Sequence, residues 1–170
     1  MSDPDSSNPK PLDVDPIPPA GISEILGLLE VLDDRKGRDR IYTLARDLNF
    51  DFGNLLCIVK AAEMLELLYT PGTEVVLKAL GKKVIETDMN EKKKIILHQL
   101  RRLTLFQFVK RVLTEQEDKK IHKDKFLETL AQVLPKERPE QIFETIIGWG
   151  RWGEFLGYSQ DDGYIYLDHG

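Results

Sequence analysis

Six consecutive residues, Gly148-Trp149-Gly150-Arg151-Trp152-Gly153, fit the spacing G-x-G-x-x-G. In that spacing, glycines let a backbone approach a pyrophosphate closely. The chemistry requires a strand before the motif and a helix after it, so that the helix N-terminus faces the phosphates. Here the order is reversed. Residues 141–150 carry helical periodicity, and residues 154–158 and 164–168 read as two strands around the turn residues Asp162-Gly163. Two tryptophans would also crowd the approach. The glycines are therefore expected to end a helix and turn the chain, with Trp149 and Trp152 packed in the core.

Gly81-Lys82-Lys83 is the other phosphate-loop fragment. A full loop would place Gly at position 76 and Ser or Thr at position 83, where Val76 and Lys83 stand. Without a Walker-type segment, the chain is not expected to hydrolyse ATP by itself. His98, His122 and His169 have no Cys, Asp, Glu or His partner at a metal-site spacing. Cys57 lies in a helical pattern, where a buried thiol is usually inert packing. The pairs Asp33-Asp34 and Asp161-Asp162 fall in turns, which favour Asp for conformational reasons. No catalytic, cofactor or metal residue is expected, and the protein reads as a non-enzyme.

Charge gives a different kind of candidate. The net charge is −5, yet residues 91–125 hold 11 basic and 5 acidic side chains. Most such runs are solvated helix faces. The functional alternative is a docking face for an acidic partner or anionic lipid, with Arg101, Arg102, Lys110 and Arg111 as candidate contacts.

The surrounding elements follow from periodicity. Residues 1–20 hold six of the nine prolines and no apolar period, so a disordered tail is expected, with order beginning near Gly21. Ile22, Ile25, Leu26, Leu29 and Leu32 mark a first helix, broken at residues 33–37. Ile41, Leu44, Ala45 and Leu48 mark a second, stopped at Asn49, and Phe52, Leu55, Leu56, Val59 and Ala62 a third. A hairpin turns at Pro71-Gly72, and a short helix over 78–86 follows. One long helix is expected over about 91–114. A helix around Phe126, Leu130 and Val133 ends at Pro135, and another opens at Pro139, where the first turn accepts proline. Helix–helix–helix–hairpin thus occurs twice. The fold class is mainly α with small β-hairpins (α+β), as two tandem winged-helix-like units over 21–90 and 91–170.

A winged helix raises the question of DNA, whose phosphates are met by Lys and Arg. Residues 51–66 offer Lys60 against Asp51, Glu63 and Glu66. Residues 139–152 offer Arg151 against Glu140 and Glu144. Nucleic acid is therefore not the expected partner, and a winged-helix transcription regulator is the alternative reading. The lone cysteine excludes an internal disulfide, and no apolar run approaches the roughly 20 residues of a membrane span. These features point to the cytoplasm.

Residues 21–34, Ile41-Tyr42-Thr43-Leu44-Ala45, residues 58–65 and Trp149-Gly150-Arg151-Trp152-Gly153-Glu154 together resemble the AAA-associated C-terminal domain. That domain occurs in the ATPase subunits of nitrate/sulfonate/bicarbonate-type (taurine-like) ABC transporters. The resemblance covers about residues 21–167. It implies an accessory or regulatory role, an ATPase or permease subunit as partner, and a place in the cytoplasm or peripheral to the inner face of the membrane. It implies no catalytic residues, and Trp149, Gly150, Arg151 and Trp152 enter as structural signature residues. Family members carry the domain behind a nucleotide-binding domain, which these residues do not include. A free-standing version acting in trans and an excised piece both stay open.

Overall fold

The computed structural model describes residues 10–13 and 16–170. Eight helices and six short strands among them make a mainly helical α+β chain. The chain divides into two compact units. One is Ile17–Leu100, and the other is Arg101–Gly170 with the described residues up to Pro16.

The first unit runs α1 (Ile22–Asp34), β1 (Arg38–Arg40), α2 (Ile41–Leu48), α3 (Phe52–Met64), β2 (Leu68–Tyr69), β3 (Glu74–Leu77), α4 (Ala79–Glu86) and most of α5 (Met89–Arg102). α1 buries Ile22, Ile25, Leu28, Leu29 and Leu32, a stripe at helical spacing that packs against α3 and α4. Asn49 closes α2 in the left-handed conformation, which Asn tolerates better than most residues. The Asp51 carboxylate caps α3 by accepting the Asn54 N–H at 3.3 Å. The strands form an antiparallel sheet in the order β1-β3-β2.

The second unit runs α6 (Thr104–Glu115), β4 (Lys120–His122), α7 (Lys123–Val133), α8 (Pro139–Trp152), β5 (Leu156–Ser159) and β6 (Tyr164–Leu167). Its sheet order is β4-β6-β5, again antiparallel. Helix, strand, helix, helix, hairpin therefore occurs in both units. The backbone repeats as well. Lys36 and Lys119 are left-handed just before β1 and β4, and Glu66 and Glu154 are left-handed just after α3 and α8.

Several expectations are corrected. β1 and β4 turn each hairpin into a three-stranded sheet. β1 is the tripeptide Arg38-Asp39-Arg40, held by pairing with Val76, Val75 and Glu74 and not by any apolar pattern. The long helix over 91–114 is two helices, because Leu103 takes an extended conformation (ψ 130°). The Gln107 side chain then donates to the Arg101 carbonyl at 3.2 Å. The two compact units meet between Leu100 and Arg101. Buried Gln99 donates to the Leu65 carbonyl at 3.1 Å, which ties α5 to the first unit.

The expected tail over 1–20 lies partly outside the described residues, at 1–9 and 14–15. Within them, order starts before Gly21. Ile17 and Ala20 are only 3% and 5% exposed, and the Leu12 N–H donates to the Val133 carbonyl at 2.8 Å. Among the described residues, no helix is long and apolar enough to cross a membrane.

Candidate functional site

α8 lines an open concavity on the second unit. Pro139 occupies its first turn, where the missing N–H costs nothing. Its inner face buries Ile142, Phe143, Ile146 and Trp149. Trp149 stacks on Phe106 with ring centroids 6.5 Å apart, and Phe155 meets Phe106 edge-on at 5.1 Å. A Cβ on Gly150 would stand 2.5 Å from Leu156 Cγ, so glycine lets α8 and β5 pack this closely. Beyond the helix, the Phe155 N–H donates to the Gly150 carbonyl at 2.7 Å, and Glu154 takes φ 60° to allow it.

The outer face of α8 is different. Glu144, Gly148 and Arg151 are exposed and Trp152 is half-buried. With Lys123 at the start of α7 and Tyr158 on β5, they line an open cleft of about 670 Å³. The Lys123 ammonium stands 5.0 Å from the centroid of the Phe143 ring, and Tyr158 meets that ring edge-on at 5.6 Å. Neither Lys123 nor Arg151 has a carboxylate at ion-pair distance among the described residues. A Cβ on Gly148 would meet nothing within 4 Å. Glycine inside a helix is about 1 kcal/mol less favourable than alanine, and no packing in this unit demands it at Gly148.

The model of the family described as C-terminal AAA-associated domain matches residues 42–159. The chain belongs to that family. It is thus an accessory domain of an ATPase. No curated protein and no solved structure matches the chain significantly. The match takes in Trp149, Gly150, Arg151 and Trp152, whereas residues 21–34, part of the resemblance, precede it.

In this AAA-associated domain, the signature residues do unlike things. Trp149 and Gly150 are buried. Trp152, expected in the core beside Trp149, is half-buried on the wall of the cleft, and Arg151 is exposed beside it. The phosphate-loop spacing is indeed set in a helix that precedes strands. Gly148, expected to help end the helix, lies inside it.

The basic run is shared between the units. Lys92, Lys93 and Lys94 belong to the first, and Arg101, Arg102, Lys110 and Arg111 to the second. All four of the latter are exposed. The Arg101 guanidinium donates to the His169 carbonyl, and the Arg111 guanidinium lies 5.5 Å from the Phe108 ring centroid. Arg102, Lys110 and Arg111 form no ion pair among the described residues.

His169 has partners that its sequence spacing does not reveal. Its Nε2 lies 3.5 Å from Asp168 Oδ1 and 3.7 Å from Glu154 Oε2. The three side chains could share a divalent cation, since their ligand atoms lie within 4.8 Å of one another. Backbone pairing creates the grouping, because the His169 N–H donates to the Glu154 carbonyl at 2.9 Å. Residues 154 and 169 are too far apart for a motif to show it. His122 instead caps α7, its Nδ1 accepting the Asp124 N–H at 3.1 Å. His98 is exposed on α5, and Cys57 is half-buried on α3.

The first unit has an aromatic surface of its own. Tyr42, 63% exposed on α2, stacks on Phe52 of α3 with ring centroids 5.4 Å apart. Phe50 between them in sequence is also exposed. In sequence, Phe52 shows only as one apolar residue of a helical period. Its place at the first turn of α3 leaves the ring outside the buried stripe of Leu55, Ile58, Val59 and Ala62.

Proposed function

We propose that this AAA-associated domain is a non-enzymatic regulatory module of the ATPase of an anion-importing ABC transporter, of the nitrate/sulfonate/bicarbonate type. Its two units are read as tandem winged helices, each used as a protein-binding platform. The module works in the cytoplasm or against the inner face of the membrane. The family match over residues 42–159 carries the accessory role. The transporter type rests on the resemblance of residues 21–34 and 149–154 to that group.

Arg101, Arg102, Lys110 and Arg111 are the proposed contacts to the ATPase or permease subunit. None of the four forms an ion pair among the described residues, in a protein of net charge −5. A local positive surface on an acidic protein steers an acidic partner without attracting polyanions in general. The test is co-purification of the full chain with the importer's ATPase and permease subunits. Association that weakens with salt and with charge reversal at these four residues supports the reading. Recovery of no transporter component, or tight binding and hydrolysis of ATP by this chain alone, overturns it.

A DNA-binding regulator is the second reading, favoured by the repeated order of helices and three-stranded sheets. Charge weighs against it. The exposed or half-exposed charges of α3 and its cap are Asp51, Lys60 and Glu63, and those of α8 and its cap are Arg138, Glu140, Glu144 and Arg151, so neither helix carries a basic excess. A regulator would bind a specific promoter fragment at physiological salt and lose affinity steeply as salt rises.

A further inference from the structure

We propose that the cleft on the outer face of α8 is a docking groove for an extended, acidic segment of a partner protein. This goes beyond the role given to Arg101, Arg102, Lys110 and Arg111 and uses none of them.

Two independent observations carry it. The first is Gly148. It lies within α8, is exposed, and faces open space where any other residue would place a Cβ. Gly150, two residues on, is explained by Leu156. Gly27 in α1 is equally open, but Gly148 stands in the lining of a cleft, where the absence of a side chain leaves room for a main chain to cross the helix. The second is charge. Lys123 and Arg151 line the same cleft without a carboxylate partner among the described residues. Trp152, half-buried beside them, offers the broad amphipathic ring that interface anchors commonly use.

The ligand class follows from the third charge. Glu144 lines the cleft one helical turn before Gly148. A compact polyanion such as a triphosphate would be repelled by that carboxylate. An extended polypeptide can place its own carboxylates at Lys123 and Arg151, cross the helix at Gly148, and present a backbone N–H to Glu144. Opposed charges at fixed positions along a groove thus select an acidic chain and set its direction.

The experiment uses the full chain and two labelled synthetic peptides, one rich in Asp and Ser around a central Leu, the other with Lys in place of Asp. Fluorescence anisotropy should show salt-sensitive binding of the acidic peptide only. Gly148→Trp should weaken it at least about tenfold, the scale of a single interface hot spot, with no fall in Tm because the site is open. The double variant Lys123→Glu, Arg151→Glu should abolish binding and guards against a Gly148 variant that misfolds. Reversal of Lys110 and Arg111, which lie outside the cleft, should leave peptide binding intact, which separates this groove from the proposed transporter contact. Failure of the acidic peptide to bind, equal binding of the basic one, indifference to both sets of cleft variants, or displacement by inorganic triphosphate would each overturn the proposal.

Discussion

The indole of Trp149 lies parallel to the ring of Phe106, with planes within 6° and centroids 6.5 Å apart. This stack joins α8 to α6, and Phe155 closes on Phe106 from the side. Both stacked residues are fully buried. Trp149→Ala should therefore cost about 3–5 kcal/mol, the range for deleting a large buried aromatic. Trp152→Ala should cost clearly less, because its ring is partly exposed on the wall of the cleft. Urea unfolding of both variants checks the order, and equal losses would contradict it.

Glycines at two helix crossings should respond unequally to alanine. A Cβ on Gly150 would stand 2.5 Å from Leu156 Cγ, a side-chain atom that can give way. Gly150→Ala should destabilise by about 1–3 kcal/mol, as overpacking generally does. A Cβ on Gly81 would stand 2.1 Å from the Leu67 carbonyl oxygen, which belongs to the backbone and cannot rotate aside. Gly81→Ala should be the worse of the two, seen as the larger fall in Tm.

Ile17 lies in the proline-rich segment yet is buried as deeply as the helix cores. Ile17→Ala should cost about 2–5 kcal/mol, like other buried aliphatic truncations. A chain beginning at residue 21 should melt at a lower temperature than the full chain. Equal melting temperatures would show that the segment adds nothing to stability.

The Asp162 carboxyl titrates below the usual Asp range, first because the Ser159 hydroxyl donates to it and then because the Tyr164 N–H does, at 3.2 Å. A depressed carboxyl pKa contributes stability above the unfolded pKa, and that contribution is lost as pH falls through the folded one. The β5–β6 turn should thus loosen below about pH 4, the ordinary Asp value. Asp162→Asn removes the titration while keeping an acceptor. Amide exchange of the turn between neutral and acid pH should be flatter in the variant than in the parent.

Arg101 differs from the other three candidate contacts, since its guanidinium already serves the His169 carbonyl. Arg101→Glu should lower both stability and partner association. Lys110→Glu and Arg111→Glu should weaken association while leaving Tm within about 1 °C, as exposed charges away from networks usually do. Paired thermal melts and binding measurements on each variant separate the two effects.

Much of the fold is legible along the chain because it is written in side-chain period. Ile22, Ile25, Leu29 and Leu32 announce α1 and the face it buries, and Asp162-Gly163 announces the second turn. The cap at Asp51, the left-handed Asn49 and the helix start at Pro139 are equally local. So is the order of residues that places the chain in its family. What escapes is whatever depends on partners distant in sequence. β1 is Arg38-Asp39-Arg40, and only the backbone of β3, some 36 residues away, makes it a strand. The break at Leu103 falls among good helix formers, so helix propensity along the chain gives no sign of it. Gly148 and Gly150 look alike in sequence, and only the positions of Leu156 and of open solvent assign one to packing and the other to the cleft. Local conformational energies choose the elements. Which neighbours fill the space around each side chain is a property of the assembled unit, and that choice made Trp149 core, Trp152 cleft wall, and brought Lys123 to Arg151 across the same groove.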